Sequence, residues 1–146
     1  ARAEDLDERA AYDCITMWDA LEHVCDVRAA CAAAARALRP GGVLALTTGD
    51  RGSLCARLSG RAWHLYNIPE HRFFFTAASI RRLLARVGLQ LVSLRRRGSW
   101  YPLQYLCERL ERKYSARLPV PRRMAAVCVY VNLWDIMEVH ARKRKN

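Results

Sequence analysis

The chain has 146 residues, 52% of them hydrophobic, which is one domain's worth of sequence with enough apolar material for a real core. Its longest notable uncharged run, residues 124–134, is too short to span a bilayer, and no targeting segment is read at its start. The six cysteines are scattered without a C-x-x-C pair, which argues against a disulfide framework or a zinc site and for buried, reduced thiols in a cytoplasmic protein. The net charge of +11 is uneven: residues 1–35 hold eight acids and three bases, residues 36–146 six acids and twenty-two bases. That asymmetry fits an acidic partner such as an anionic membrane or a nucleic acid, or an arginine-rich background spread over helices. The background reading is preferred, so nucleic acid is not an expected partner, while peripheral membrane contact stays open.

Along the chain, residues 1–9 read as a strand end and an acidic loop. Residues 14–18 are apolar and partly β-branched, as in a buried parallel strand. Asp26 caps a helix over residues 27–38, mostly alanine, which stops at Arg39-Pro40-Gly41-Gly42. Residues 43–48 form the next buried strand, and a strand-helix-strand unit of this length predicts a right-handed parallel crossover. Residues 49–75 are a long connection, with a short helix over 53–58 and an aromatic run of Trp63, Tyr66, Phe73, Phe74 and Phe75. Such connections lie where ligands bind. Thr76 then caps a helix with Ile80, Leu83, Leu84 and Val87 on one face, Gly88 ends it, and residues 89–94 alternate as a strand. Residues 102–118 have helical spacing and a Glu108–Arg112 pair. A second apolar segment runs to residue 131, and residues 132–140 close as a strand before a basic tail.

These segments resemble class I S-adenosylmethionine-dependent methyltransferases, nearest to the branch with quinone-biosynthesis and other small-molecule methylases. The resemblance rests on Tyr12 to Trp18 as the fourth strand running into Asp19-Ala20-Leu21-Glu22-His23-Val24. It continues in Leu38 to Gly42 before the fifth strand, Pro69-Glu70-His71 after it, Val87-Gly88-Leu89, and Asn132 to Met137. It implies an α/β fold: a partial Rossmann-like sheet of strands four, five, seven and six, the final strand antiparallel, with helices on both faces and a helical insertion over about residues 99–131. The whole is the C-terminal part of one methyltransferase domain, 1–146, without a glycine-rich cofactor loop. It implies S-adenosylmethionine as cofactor, held by the adenine-side loop Glu4-Asp5-Leu6 and by Trp18-Asp19-Ala20.

Several residues carry two readings. Asp19 and Glu22 at a strand end can hold a ligand's ammonium or hydroxyl, or simply favour a helix N-terminus. His23 and the pair Glu70-His71 are candidates for proton transfer, or anchors for their loops. Trp63, His64 and Tyr66 can wall a substrate pocket, or pack the loop down. Residues 99–131 can cap a substrate, lie on a membrane surface, or fold as a helical hairpin. No His/Cys/Asp cluster shows ligand spacing, so no metal is expected. The reading of function is methyl transfer to a small-molecule or lipid-like acceptor as part of a larger parent. The alternative is a non-catalytic remnant or basic interaction module. An unpaired fourth-strand edge predicts self-association of the chain, and little activity from it alone.

Overall fold

The computed structural model describes residues 3–145 apart from 67, 116 and 118, and the side chains of residues 112–114 lie outside the description, so the Glu108–Arg112 pair and the helix end at 118 do too. There are two compact units, Ala1–Arg97 with Trp134–Asn146, and Gly98–Leu133.

The first unit begins with a short 3-10 turn, Ala3–Asp5, where a strand end was expected. Strand β1, Tyr12–Met17, leads through the loop to helix α1, Val27–Ala37. Asp26 caps α1 by accepting from the Ala29 N–H at 2.9 Å. Ala30, Ala33, Ala34 and Ala37 are fully buried, because side chains this small let the helix lie close to the sheet. At its far end the Lys143 ammonium donates to the carbonyls of Leu38 at 2.7 Å and Arg36 at 3.3 Å, a cation where the helix dipole is negative.

Strand β2, Leu38–Gly49, starts inside the expected turn. Tyr12 pairs with Leu38 and Cys14 with Val43, so residues 39–42 bulge out against Asp13 alone. The bulge needs Gly41 at φ +83°. Gly41→Ala is therefore expected to lose about 1–2 kcal/mol, and Gly41→Asn less, because Asn tolerates the left-handed region. Urea unfolding of both variants checks the order.

After β2 come helix α2, Leu54–Ser59, helix α3, Ala77–Arg86, and strand β3, Leu89–Arg96. Thr76 and Ser79 form a reciprocal capping box at the start of α3, and Gly88 takes φ +79° after its end. The second unit, by itself, is a two-stranded antiparallel ribbon of β4, Ser99–Pro102, and β5, Cys128–Val131, with helix α4, Leu103–Tyr114, between them. This replaces the expected helical hairpin. Its β-branched and aromatic residues pair across strands, with Trp100 and Tyr130 ring centroids 5.4 Å apart. Strand β6, Ile136–Lys143, starts four residues later than expected, since Trp134 at φ +58° turns the chain first.

The sheet order is β1-β2-β6-β3, with β1 and β2 parallel and β6 antiparallel to both neighbours. This is the expected four-five-seven-six arrangement. Both crossovers progress the same way across the sheet, so right-handedness puts α1 and α3 on one face. There Leu44, Leu46, Met137, Val139 and Ala141 share one core with Cys31, Ala34, Ile80 and Leu84. The opposite face is polar: Ser93 Oγ meets His140 Nδ1 at 2.9 Å, and Arg97 pairs with Glu138 at 3.0 Å. Among the thiols only Cys31 is buried, its pKa pushed up to about 12 by burial. Cys14, Cys25 and Cys128 are exposed, which corrects the expectation that the thiols are buried. Their elements present one face or none to the core.

Candidate functional site

The site is built at the carboxyl ends of the parallel strands β1 and β2, where the chain leaves the sheet and both main-chain and side-chain groups are available to a ligand. Asp19 turns the chain there at φ +46°, a conformation that Asp tolerates better than most residues. Thr47 of β2 locks it, accepting from the Asp19 N–H at 2.9 Å and donating to its carboxylate at 2.8 Å. Leu21, fully buried, nails the loop to the core. Glu22 is 4% exposed, and its carboxylate accepts from the Thr48 hydroxyl at 3.0 Å.

The long connection closes over this loop. The Arg72 and Phe73 N–H groups donate to the Glu22 carbonyl at 2.9 and 3.3 Å. His23 Nδ1 lies 3.0 Å from the Glu70 carbonyl oxygen, and His71 Nδ1 lies 3.1 Å from that of Leu65. A carbonyl only accepts, so each Nδ1 carries a proton and each neutral ring keeps its lone pair on Nε2. The two imidazoles meet edge to face at 4.8 Å between centroids. Glu70 thus contributes its main-chain carbonyl, while its side chain is exposed.

Beside His23 lies a groove of about 470 Å³ lined by Ala3, Glu4, Asp19, Ala20, His23, Val24 and Cys25. Three of the residues expected to hold a cofactor, Glu4, Asp19 and Ala20, come together here. Asp5, Leu6 and Trp18 are not in the lining: Leu6 gives its carbonyl to Arg36 at 3.4 Å, and Trp18 is 53% exposed. Glu4 braces the groove, one carboxylate oxygen accepting from the N–H groups of Cys25 at 2.8 Å and Asp26 at 3.0 Å.

The aromatic stretch is organised by Asp135, which sequence reasoning passed over as part of a strand. Asp135 is buried and accepts from Trp63 Nε1 and His64 Nε2, both at 2.8 Å. Burial alone would raise its pKa. The hydrogen bonds from His64 and Trp63, the charge of His64 and a further bond from Cys55 outweigh it, so the carboxyl lies below its usual value. Trp63 is fully buried and stands edge-on to Tyr66 at 5.1 Å. Tyr66 accepts from Arg51 Nε at 2.9 Å and is half-buried. Of the three expected pocket walls, Trp63 is therefore the buried support, and His64 and Tyr66 are reachable. The signal for Asp135 was a single acid between Trp134 and Ile136, in an otherwise apolar run.

A family model described as a methyltransferase domain matches residues 1–94. A comparison with curated proteins finds no sequence match. Among solved structures, the chain resembles the YcgJ protein of Bacillus subtilis, with 17% identity and a TM-score of 0.66 over 100% of this chain and 70% of that one. It resembles a SAM-dependent methyltransferase of Thermotoga maritima with 17% identity and a TM-score of 0.61, over 99% of this chain and 62% of that one. A third is the Burkholderia thailandensis 1,6-didemethyltoxoflavin-N1-methyltransferase, bound to 1,6-didemethyltoxoflavin and S-adenosylhomocysteine. It has 17% identity and a TM-score of 0.54, over 99% of this chain and 49% of that one. The chain thus spans about three-fifths of the Thermotoga protein and about half of the Burkholderia one. Identities this low speak for the fold alone, while the family model covers most of the sequence: the chain belongs to the methyltransferase-domain family.

Proposed function

We propose that the chain serves S-adenosylmethionine-dependent methyl transfer to a small-molecule or lipid-like acceptor, as part of a larger protein. The observation that carries this reading is the groove that joins Glu4, Asp19 and Ala20 to His23 at the strand ends, in a chain matched by a methyltransferase family model. S-adenosylmethionine is the cofactor supported by the family and by the Burkholderia neighbour's bound S-adenosylhomocysteine. The residues present fit one side of it. Ala3, Ala20 and Val24 give apolar walls for a flat base, and Asp19 keeps a second carboxylate oxygen without a donor among the described residues.

When bound, the cofactor supplies a methyl group on a positively charged sulfur, and transfer depends chiefly on alignment and exclusion of water. In this reading Asp19 and Ala20 hold the cofactor's adenosine, and Glu4 keeps the groove open. His71 and His23 face the acceptor through Nε2, the one nitrogen on each ring able to take a proton from an acceptor hydroxyl. Glu70 acts through its carbonyl as a positioning residue for His23. Tyr66 and His64 wall the acceptor, backed by Trp63. Self-association through the edge of β1, and peripheral membrane contact by the basic segment, belong to the same reading. Among the described residues no helix is long and apolar enough to cross a membrane.

The test is an NMR titration of the chain with S-adenosylhomocysteine. The expected result is that the amides of Ala20, His23, Val24 and Cys25 shift first, and that Asp19→Ala weakens the response several-fold. Shifts confined to Gly98–Leu133, or none at all, overturn the reading.

A further inference from the structure

We infer that Glu22, His23 and His71 form a binding site for one first-row divalent transition-metal ion. One donor atom from each of the three lies within 4.8 Å of the other two. Both Nδ1 atoms are held by main-chain carbonyls, so Nε2 is the nitrogen that each ring offers. A metal-ligating histidine is oriented in the same way, its other N–H given to a carbonyl or carboxylate. Here the two orienting carbonyls, of Glu70 and Leu65, come from the same connection that carries His71.

Glu22 supplies a second, independent observation. It is a carboxylate 4% exposed, and among the described residues it has no Lys or Arg partner. Its one hydrogen-bond partner there is the neutral Thr48 hydroxyl. A buried charge of this kind is costly unless a cation meets it, and the two imidazoles beside it are lone-pair donors. Thr48 fixes one carboxylate oxygen and leaves the other for a ligand bond.

The donor set selects the ion. Two imidazoles and one carboxylate suit zinc, manganese, iron(II) or cobalt(II), whereas calcium and magnesium prefer oxygen alone. Bonds of about 2.0–2.2 Å place ligand atoms roughly 3–3.5 Å apart, so the three side chains draw together on binding. His23 is exposed and His71 partly so, which gives both rings freedom to do this and the ion a way in. Three protein ligands leave coordination positions open, as at catalytic rather than structural sites. The binding stands without the methyl-transfer reading. Only the ion's use rests on it: with both Nε2 lone pairs on the ion, the ion itself polarises an acceptor hydroxyl beside the cofactor groove, which His23 also lines, in place of direct proton acceptance by the rings.

The experiment is calorimetric titration of the chain with zinc and, separately, manganese, in the absence of cofactor. One ion per chain is expected. Glu22→Gln, His23→Gln and His71→Gln should each weaken binding at least tenfold, while His140→Gln, on the opposite face of the sheet beside Ser93, leaves it unchanged. If a variant fails to fold, the wild-type ring resonances decide: zinc must shift the Nε2 signals of His23 and His71 and spare those of His64 and His140. Absence of a stoichiometric ion, unchanged affinity in the folded Glu22, His23 and His71 variants, or loss of binding in His140→Gln overturns the site. Ion binding without any response to S-adenosylhomocysteine supports the metal site and overturns only the cofactor assignment.

Discussion

Replacing Asp135 by alanine is expected to cost about 3 kcal/mol of folding free energy, because it strips a fully buried indole N–H of its acceptor and His64 of a charge-assisted bond. Asp135→Asn keeps an acceptor oxygen and loses only the charge, so about 1 kcal/mol is expected there. The two variants also differ in pH response. The folded-state pKa of Asp135 is depressed. Its contribution is therefore fully present above the unfolded carboxylate value of about 3.9, and is lost as pH falls through the lower folded value. The stability gap between wild type and Asp135→Asn should shrink steadily as pH falls below about 4. Chemical unfolding across that range measures it. A gap that grows below about pH 4, where the carboxylate is being neutralised, would mean that something other than its charge holds Trp63 in place.

The second large effect lies on the same end of the sheet. Asp50 is 1% exposed, follows β2, and accepts from Arg96 at 2.5 Å and from the Gly52 N–H at 2.9 Å. Its own N–H donates to the Asp135 carbonyl at 2.6 Å, so the two buried acids share one backbone frame. Arg96→Met leaves the Asp50 carboxylate buried without its cation, an effect of about 3–5 kcal/mol. Asp50→Asn in the same chain removes the stranded charge but still accepts from Gly52. The double variant should recover most of the loss, which is the signature of a coupled pair. If the double variant is as unstable as Arg96→Met, then Arg96 acts through the packing of its stem rather than through its charge. Either loss would loosen the connection carrying His64, Tyr66 and His71, and so the candidate site, without touching a ligand.

Much of this frame was legible in the residue order. Asp26 and Thr76 sit where caps are needed, and alanine spacing marks α1. The two glycines after Pro40 mark the approach to β2. Each of these is a local signal, set by backbone geometry within a few residues, and each appears in the structure within a few positions of where the sequence placed it. The strand order also followed, through the resemblance carried by Tyr12 to Thr48. The segment between β3 and β6 was harder to read. Trp100, Tyr101, Val129 and Tyr130 become a strand pair only because residues nearly thirty apart meet across a ribbon, and each run alone is too short to declare its partner.

Among the site residues, the sequence by itself named Asp19, Glu22, His23, Glu70 and His71 as chemically able, with Asp19 and Glu22 at a strand end and Glu70 and His71 in the long connection that follows the next strand. Their assignments were decided by tertiary structure. Hydrogen bonds from distant carbonyls, those of Leu65 and Glu70, choose which nitrogen of His71 and His23 is left open. Thr48 holds Glu22 buried beside them, and Asp135 draws Trp63 into the core while leaving Tyr66 reachable. Protonation tautomer, burial and convergence are properties of neighbours brought together by folding. They cannot be read from a spacing along the chain, and here they turn separate candidate residues into one arrangement of lone pairs around a buried carboxylate.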